Sequence, residues 1–260
     1  MIHPSAIISD EATIADGVEI GPFTIIEGKV DIAAGCKIGG HAWLKGPLSI
    51  AENNQIGFGA IIGADPQDRS FDPSVDGGTK IGTDNIFREY VTIHRNTQPG
   101  KFTTIGNHNF LMTGAHLAHD VVMGDHNNLA NNVLVAGHVS IGNSAFIGGG
   151  AVFHQFIRIG DFAIAQGNSG FSKDLPPFCL GHHVNRISGL NVIGMRRAGL
   201  SPSERQQVKA AYKMIFRSSA TLPQALAAAD ERDDWSEPAK RFFDFFRTPS
   251  KKGVLTREGD

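Results

Sequence analysis

Cut into sixes, residues 105–160 read IGNHNF LMTGAH LAHDVV MGDHNN LANNVL VAGHVS IGNSAF IGGGAV FHQFIR IG. A large apolar residue opens every block: Ile105, Leu111, Leu117, Met123, Leu129, Val135, Ile141, Ile147, Phe153 and Ile159. Followed towards the N-terminus, the beat resumes at Ile81, Phe87 and Ile93. It also runs unbroken from Ile2 through Ile8, Ile14, Ile20, Ile26, Ile32, Ile38, Leu44, Ile50 and Ile56 to Ile62. It pauses over 64–79 and 94–104 and fades at Ala165 and Phe171. A period of six matches neither a helix at 3.6 nor a flat strand at two. It fits a solenoid with one short strand and one corner per six residues, three sides closing a coil of 18. Each block-opening residue then points into a prism, and Gly, Asn or Asp commonly sits nearby, as in Ile20-Gly21 and Ile56-Gly57, where corners can demand positive φ. Coils stack at about 4.8 Å, so residues 18 apart become neighbours. The pauses predict loops ejected from the prism, where solenoids often bind.

Beyond Pro176-Pro177 the pattern turns helical. Ser201-Pro202-Ser203-Glu204 reads as an N-cap, a proline at the first helical position and a reciprocal capping glutamate. Val208, Ala211, Tyr212, Ile215 and Phe216 follow as a helical apolar face. A second helix is expected after Thr221, with Leu222, Ala225, Leu226 and Ala229 inward. A third is expected near 238–247 around Phe242, Phe243, Phe245 and Phe246. The organisation is a mainly β prism over 1–180, a connecting segment over 181–200 and a small helical domain over 201–260.

Composition narrows the class. The 260 residues carry 24 Lys+Arg against 26 Asp+Glu, a net charge of −2, without the basic excess of a dedicated nucleic-acid binder. No apolar run approaches the roughly 18 residues of a membrane span, and Met1-Ile2-His3-Pro4 lacks the start of a signal peptide. A soluble, cytoplasmic protein is expected. Cys36 and Cys179 are too few for a disulfide framework or a cysteine zinc site.

The 18-residue rule converts sequence into neighbourhoods. His119, Gly137 and Gln155 fall in one column, Asp120 lies against His138, and His116 and His154 stand close by. Leu117, Val135 and Phe153 fill the interior there, so this polar ladder faces outward. A single histidine on a solenoid is usually decoration, and His41, His108 and His126 suit corner duty. The cluster says more: without a nucleophilic Ser or Cys motif, it suits general-base chemistry on a hydroxyl, with the bare Gly137 N–H as an oxyanion donor. Two readings stay open. His116, His119 and His138 could bind zinc, and Asp120 either tunes His119 or caps a turn, since adjacent strand residues point to opposite faces.

Val91-Thr92-Ile93-His94-Arg95, Ala115-His116-Leu117-Ala118-His119-Asp120, Leu129-Ala130-Asn131-Asn132, Ala136-Gly137-His138-Val139, His154-Gln155-Phe156 and Tyr212-Lys213-Met214-Ile215-Phe216-Arg217-Ser218 together resemble the hexapeptide-repeat UDP-N-acetylglucosamine O-acyltransferases of lipid A biosynthesis. The resemblance spans nearly the whole chain. It implies a left-handed parallel β-helix, a hand on which the period is silent and which the usual crossover rule would reverse. It also implies transfer of a (3R)-3-hydroxyacyl group from acyl carrier protein to the sugar 3-hydroxyl of a UDP-sugar, without cofactor or metal, in a homotrimer with clefts between subunits. By the same resemblance His119 is the general base, Asp120 its partner and Gly137 the oxyanion donor. His116, His138, His154 and Gln155 line the substrate clefts. Gln67 and Asp68 in the first loop reach the sugar, Asn191 and Arg197 the nucleotide, and Gly167 sets acyl-pocket depth.

Ile193, Ala198 and Ser70 depart from the family pattern and keep a 3-amino UDP-sugar open as acceptor. A later N-acyltransferase of the same pathway would carry an extra N-terminal domain, whereas this beat starts at Ile2. A zinc-dependent carbonic-anhydrase-like prism and a purely structural solenoid are the readings from other classes. Finally, Arg205, Lys209, Lys213 and Arg217 recur every four residues and form a basic stripe on the expected helix. Residues 196–260 hold 13 Lys+Arg and 9 Asp+Glu, a local +4, leaving −6 for residues 1–195. With Arg196 and Arg197, the stripe is expected to dock the acidic carrier protein.

Overall fold

The structure, a computed structural model, describes residues 1–257. Strands of two to four residues pair in parallel, and each successive strand joins a different sheet: Ile7–Ile8 the first, Thr13–Ile14 the second, Glu19–Ile20 the third, then Ile25–Glu27 the first again. The three sheets are the sides of a left-handed parallel β-helix. Register follows the coil length: Ile7 pairs with Ile25, and His116 with Leu134.

From Ile20 to Ile159 every block-opening residue is at most 4% exposed. Each such burial is worth roughly 1.5–3 kcal/mol, so the core is a continuous column. At the N-terminal end Ile2 is 46% exposed, because no coil lies beneath it.

The corners differ from expectation. Positive φ falls three residues after the block opener, not one: at Phe23, His41, Gly59, Asp84, Tyr90, His108, Gly114, Asp120, His126, Asn132 and His138. The glycine directly after the opener answers a different need. A Cβ on Gly57 would lie 2.6 Å from the Arg88 carbonyl carbon of the next coil, so close stacking excludes any side chain there.

Two loops leave the prism, over 65–77 and 95–101. They are narrower than the pauses in the beat because Gly78–Ile81 and Phe102–Ile105 pair along four residues. The expected connecting segment is also more ordered. Cys179–His182 and Arg186–Leu190 form an antiparallel hairpin that extends the third face through Leu180 and Gly181, paired with Ile164 and Ala165.

Helix α1 (Val192–Arg197) follows at once; six residues are too few to show a period. In α2 (Pro202–Phe216) the Ser201–Glu204 capping box forms as read. Helix α3 (Leu222–Asp230) buries Ala225 and Ala229, while Leu222, expected inward, is 40% exposed in the first turn. Helix α4 (Glu237–Arg247) buries Phe242, Phe243 and Phe246, with Phe216 of α2 edge-on to Phe246 at 5.7 Å. The helical unit meets the prism where the Arg158 guanidinium lies over Phe245 and Arg241 pairs with Asp161 at 2.9 Å. The tail returns to the coil, Val254 bridging to Asp174. Cys36 and Cys179 are buried and unpaired. Among the described residues no helix is long and apolar enough to cross a membrane.

Candidate active site

The corner rule assembles the site. Leu117 points inward and Asp120 is the positive-φ corner three residues on, at φ 61°. The backbone therefore turns between His119 and Asp120, and side chains that would diverge along a strand meet. His119 Nδ1 lies 2.5 Å from Asp120 Oδ2, both residues being buried. One coil on, His138 occupies the next corner, with its N–H donating to the His119 carbonyl and Nε2 3.7 Å from Asp120 Oδ2. Asp120 is thus more than a turn cap, though it also accepts from Thr97 Oγ1 at 2.8 Å and Thr97 N–H at 3.2 Å.

Gly137 stacks against His119. A Cβ there would lie 2.5 Å from the imidazole Cε1 and 2.8 Å from Nε2. The Gly137 N–H donates to no protein acceptor among the described residues. His116 Nδ1 is 2.7 Å from Thr92 Oγ1, and the buried His94 stands edge-on to it at 5.0 Å.

Electrostatics separate the roles. Burial pushes the Asp120 carboxyl up, but the bonds from His119 and Thr97 and the nearby His138 outweigh it and hold it below its usual range. Burial, then the neighbouring His116 and His119, drives His94 down to about 4. Burial and the field of His119 likewise lower His116; burial lowers His138 despite Asp120. These histidines are therefore neutral near pH 7, and Asp120 is anionic.

Of the three histidines of the zinc reading, His119 and His138 share a cluster of possible ligand atoms among the described residues, but its third member is Asp120 and not His116. His119, Asp120 and His138 bring ligand atoms within 4.8 Å of one another. Two ligands of a tetrahedral zinc sit roughly 3.3 Å apart, given metal–ligand bonds near 2.0 Å. The His119–Asp120 separation is that of a hydrogen bond.

A cleft of about 860 Å³ collects His119, Gly137, His116, His154, Gln155 and, from the loop over 65–77, Gln67. Asp68 lies close enough to His119 to feel its charge, but its carboxylate already accepts from Ser70 N–H and Oγ, both at 2.8 Å; those two bonds hold it below its usual range. Other expected residues lie elsewhere on the chain. Gly167 lines a separate cleft of about 460 Å³ with Gly148 and Ser188. Asn191 and Arg197 line a third, of about 870 Å³. Asn191 is largely committed to structure: Oδ1 accepts from Gly194 N–H as the cap of α1, and Nδ2 donates to the Phe162 carbonyl.

Three neighbours of the site were invisible to column arithmetic. Thr97 and Arg95 stand in or beside an ejected loop, and Lys251 reaches back from the tail to lie over Phe156, which stacks on His138. Chain that leaves the coil has no fixed neighbour 18 residues away. The sequence signal for the first two was an Arg directly after Ile93-His94 and a Thr two residues further on.

Comparison with known proteins places this geometry in a family. Residues 174–255 match the profile described as UDP N-acetylglucosamine O-acyltransferase, domain 2, and residues 102–137 match the bacterial transferase hexapeptide repeat. An acyl-[acyl-carrier-protein]–UDP-N-acetylglucosamine O-acyltransferase of Halorhodospira halophila is 40% identical over 258 residues, 98% of each chain. The solved UDP-N-acetylglucosamine acyltransferase of Francisella novicida superposes with a TM-score of 0.95 at 32% identity, covering 100% of this chain and 95% of that one. The Acinetobacter baumannii enzyme LpxA gives 0.91 at 37% identity, covering 98% and 99%. With the fold matched from end to end and identity held over nearly all of both chains, this protein belongs to the UDP-N-acetylglucosamine O-acyltransferase family.

Proposed function

We propose that this chain transfers a (3R)-3-hydroxyacyl group from acyl carrier protein to the 3-hydroxyl of UDP-N-acetylglucosamine. The observation that carries the reading is the column itself: an imidazole tied by Nδ1 to a carboxylate, with its other edge against the bare backbone of Gly137. His119 Nε2 takes the proton of the sugar hydroxyl as the oxygen attacks the thioester carbonyl. Negative charge builds on the carbonyl oxygen, where the Gly137 N–H stabilises it. Collapse expels the carrier thiolate, which receives the proton from the imidazolium.

Asn191, Arg197 and Gly167 lie in clefts apart from His119, and Leu134 and Val152 on the His116 face are 46% and 43% exposed. Both features support a homotrimer in which a neighbouring subunit completes each site. Carrier thioesters of graded length, assayed against UDP-N-acetylglucosamine and its 3-amino analogue, test the reaction. Preference for the amino acceptor would overturn the O-acyl assignment.

The same assay tests the depth stop. A Cβ on Gly167 would already lie 3.0 Å from the Gly149 carbonyl oxygen, so a larger side chain must fill the adjoining cleft. Gly167→Met is expected to shift donor preference to shorter chains, overfilling costing about 1–3 kcal/mol. An unchanged length profile places the stop elsewhere.

Carrier docking is assigned to the exposed Lys209 and Lys213 of α2 and its C-capping Arg217, with Arg196 and Arg197. Arg205 is less available, since its guanidinium donates to the Leu200 carbonyl at the start of the helix. The double substitution Lys209→Glu, Lys213→Glu is expected to lower kcat/KM for carrier-bound donors about tenfold at low salt, the deficit shrinking as salt rises. An equal loss with a carrier-free thioester would remove the docking role.

A further inference from the structure

Arg95 is 4% exposed, yet its guanidinium faces the loop over 65–77. Nε donates to Asp65 Oδ1 at 2.7 Å, one terminal nitrogen donates to the Val75 and Gly77 carbonyls at 2.5 and 3.1 Å, and the other donates to the Pro73 carbonyl at 2.9 Å. Phe71 lies beneath the plane at 4.8 Å. One side chain thus binds the start, middle and end of the loop that carries Gln67 and Asp68, and Lys45 reinforces the start through Asp65 at 2.9 Å. Two residues along, Thr97 makes the two bonds to Asp120 already described, with Thr103 Oγ1 accepting the Asp120 N–H.

We propose that Arg95 and Thr97 are positioning residues that join the loop over 65–77 to the His119–Asp120 pair through the three-residue link 95–97. Arg95 acts on substrate placement by holding Gln67 over the cleft. Thr97 acts on the proton transfer by fixing the carboxylate that orients His119. The planar fork of arginine matches several acceptors at once, which an ammonium cannot do. The buried carboxylate needs its donors to stay in one rotamer. The inference rests on the proposed roles of His119 and of the loop.

The test separates the two halves. Arg95→Lys is expected to raise KM for the UDP-sugar about tenfold, with kcat within threefold of wild type. Thr97→Val is expected to lower kcat about tenfold and to move the acidic limb of the kcat–pH profile, with KM for the UDP-sugar little changed. Thr97→Ser should restore both the rate and the limb. A lower melting temperature with unchanged KM in Arg95→Lys, or an unmoved profile in Thr97→Val, would overturn the corresponding half. His119→Ala, assayed in parallel, distinguishes the outcomes: if that variant stays active, the base assignment itself fails; if it is inactive while the other variants behave as wild type, only the positioning roles fail.

Discussion

Alanine at position 119 is expected to lower kcat by about 10²–10⁴-fold with the fold retained. A sugar hydroxyl is a weak nucleophile until its proton leaves, and among the cleft histidines His119 is the one whose Nδ1 is tied to a carboxylate. That bond fixes the tautomer, leaving Nε2 as the acceptor. His116 holds its Nδ1 on the Thr92 hydroxyl instead of a carboxylate, and His94 is buried, so neither offers an anion-paired imidazole in place of the lost base. The fold should survive because the coil at this level is held by Leu117 and its backbone ladder, not by the imidazole. The check is single-turnover acyl transfer alongside thermal melting. Turnover near wild type would remove His119 from the chemistry.

Gly137→Ala is the second large effect, and the smallest change that should produce it. The new methyl would fall 2.5 Å from His119 Cε1 and 2.8 Å from Nε2, too close for either, and a tight 3.1 Å from Nδ1. Gly137 is not among the positive-φ residues, so alanine fits the local backbone and the conflict lies with the ring. The imidazole must tilt by the order of an ångström, against a 2.5 Å bond to Asp120. Misplacement on that scale costs about 10²-fold in rate. We expect kcat to fall by roughly 10²–10³-fold, with little change in melting temperature. If the variant keeps wild-type kcat, the ring has room to move and the tight stacking is not part of the mechanism.

The coil and the column were legible because a strict period is a coordinate system. Once 18 residues make a turn, Gly137 lies over His119 without further information, and the structure places it there. The meeting of His119 with Asp120 was undecidable on the same grounds, since it depends on which residue bends. The positive φ at Asp120 decides it, and the rule behind it, three residues after most inward side chains, lies in backbone angles that composition does not display. Histidine, phenylalanine and tyrosine hold such corners as well as glycine does, so no residue type announces them. Arg95, Thr97 and Lys251 act from chain outside the coil, and only tertiary packing locates them. Asn191 was found as a residue, but its side chain serves the helix cap and Phe162.

The pairing offsets carry an evolutionary constraint. Ile62 pairs with Ile93 and Ile81 with Ile105, separations that exceed the 18-residue coil by 13 and by 6, close to the lengths of the two loops held outside it. Both loops expel their additional length whole, and the coils on either side keep their phase. Two residues inserted inside a coil would throw every later inward residue out of phase, and the error would propagate to Ile159. The same two residues at the tip of the loop over 65–77 would leave the phase untouched. Insertions and deletions in descendants of this gene should therefore concentrate at 65–77 and 95–101 or come in whole coils. The reach of the loop towards the substrate can then drift over generations while the spacing of His119, Gly137 and Gln155 stays frozen.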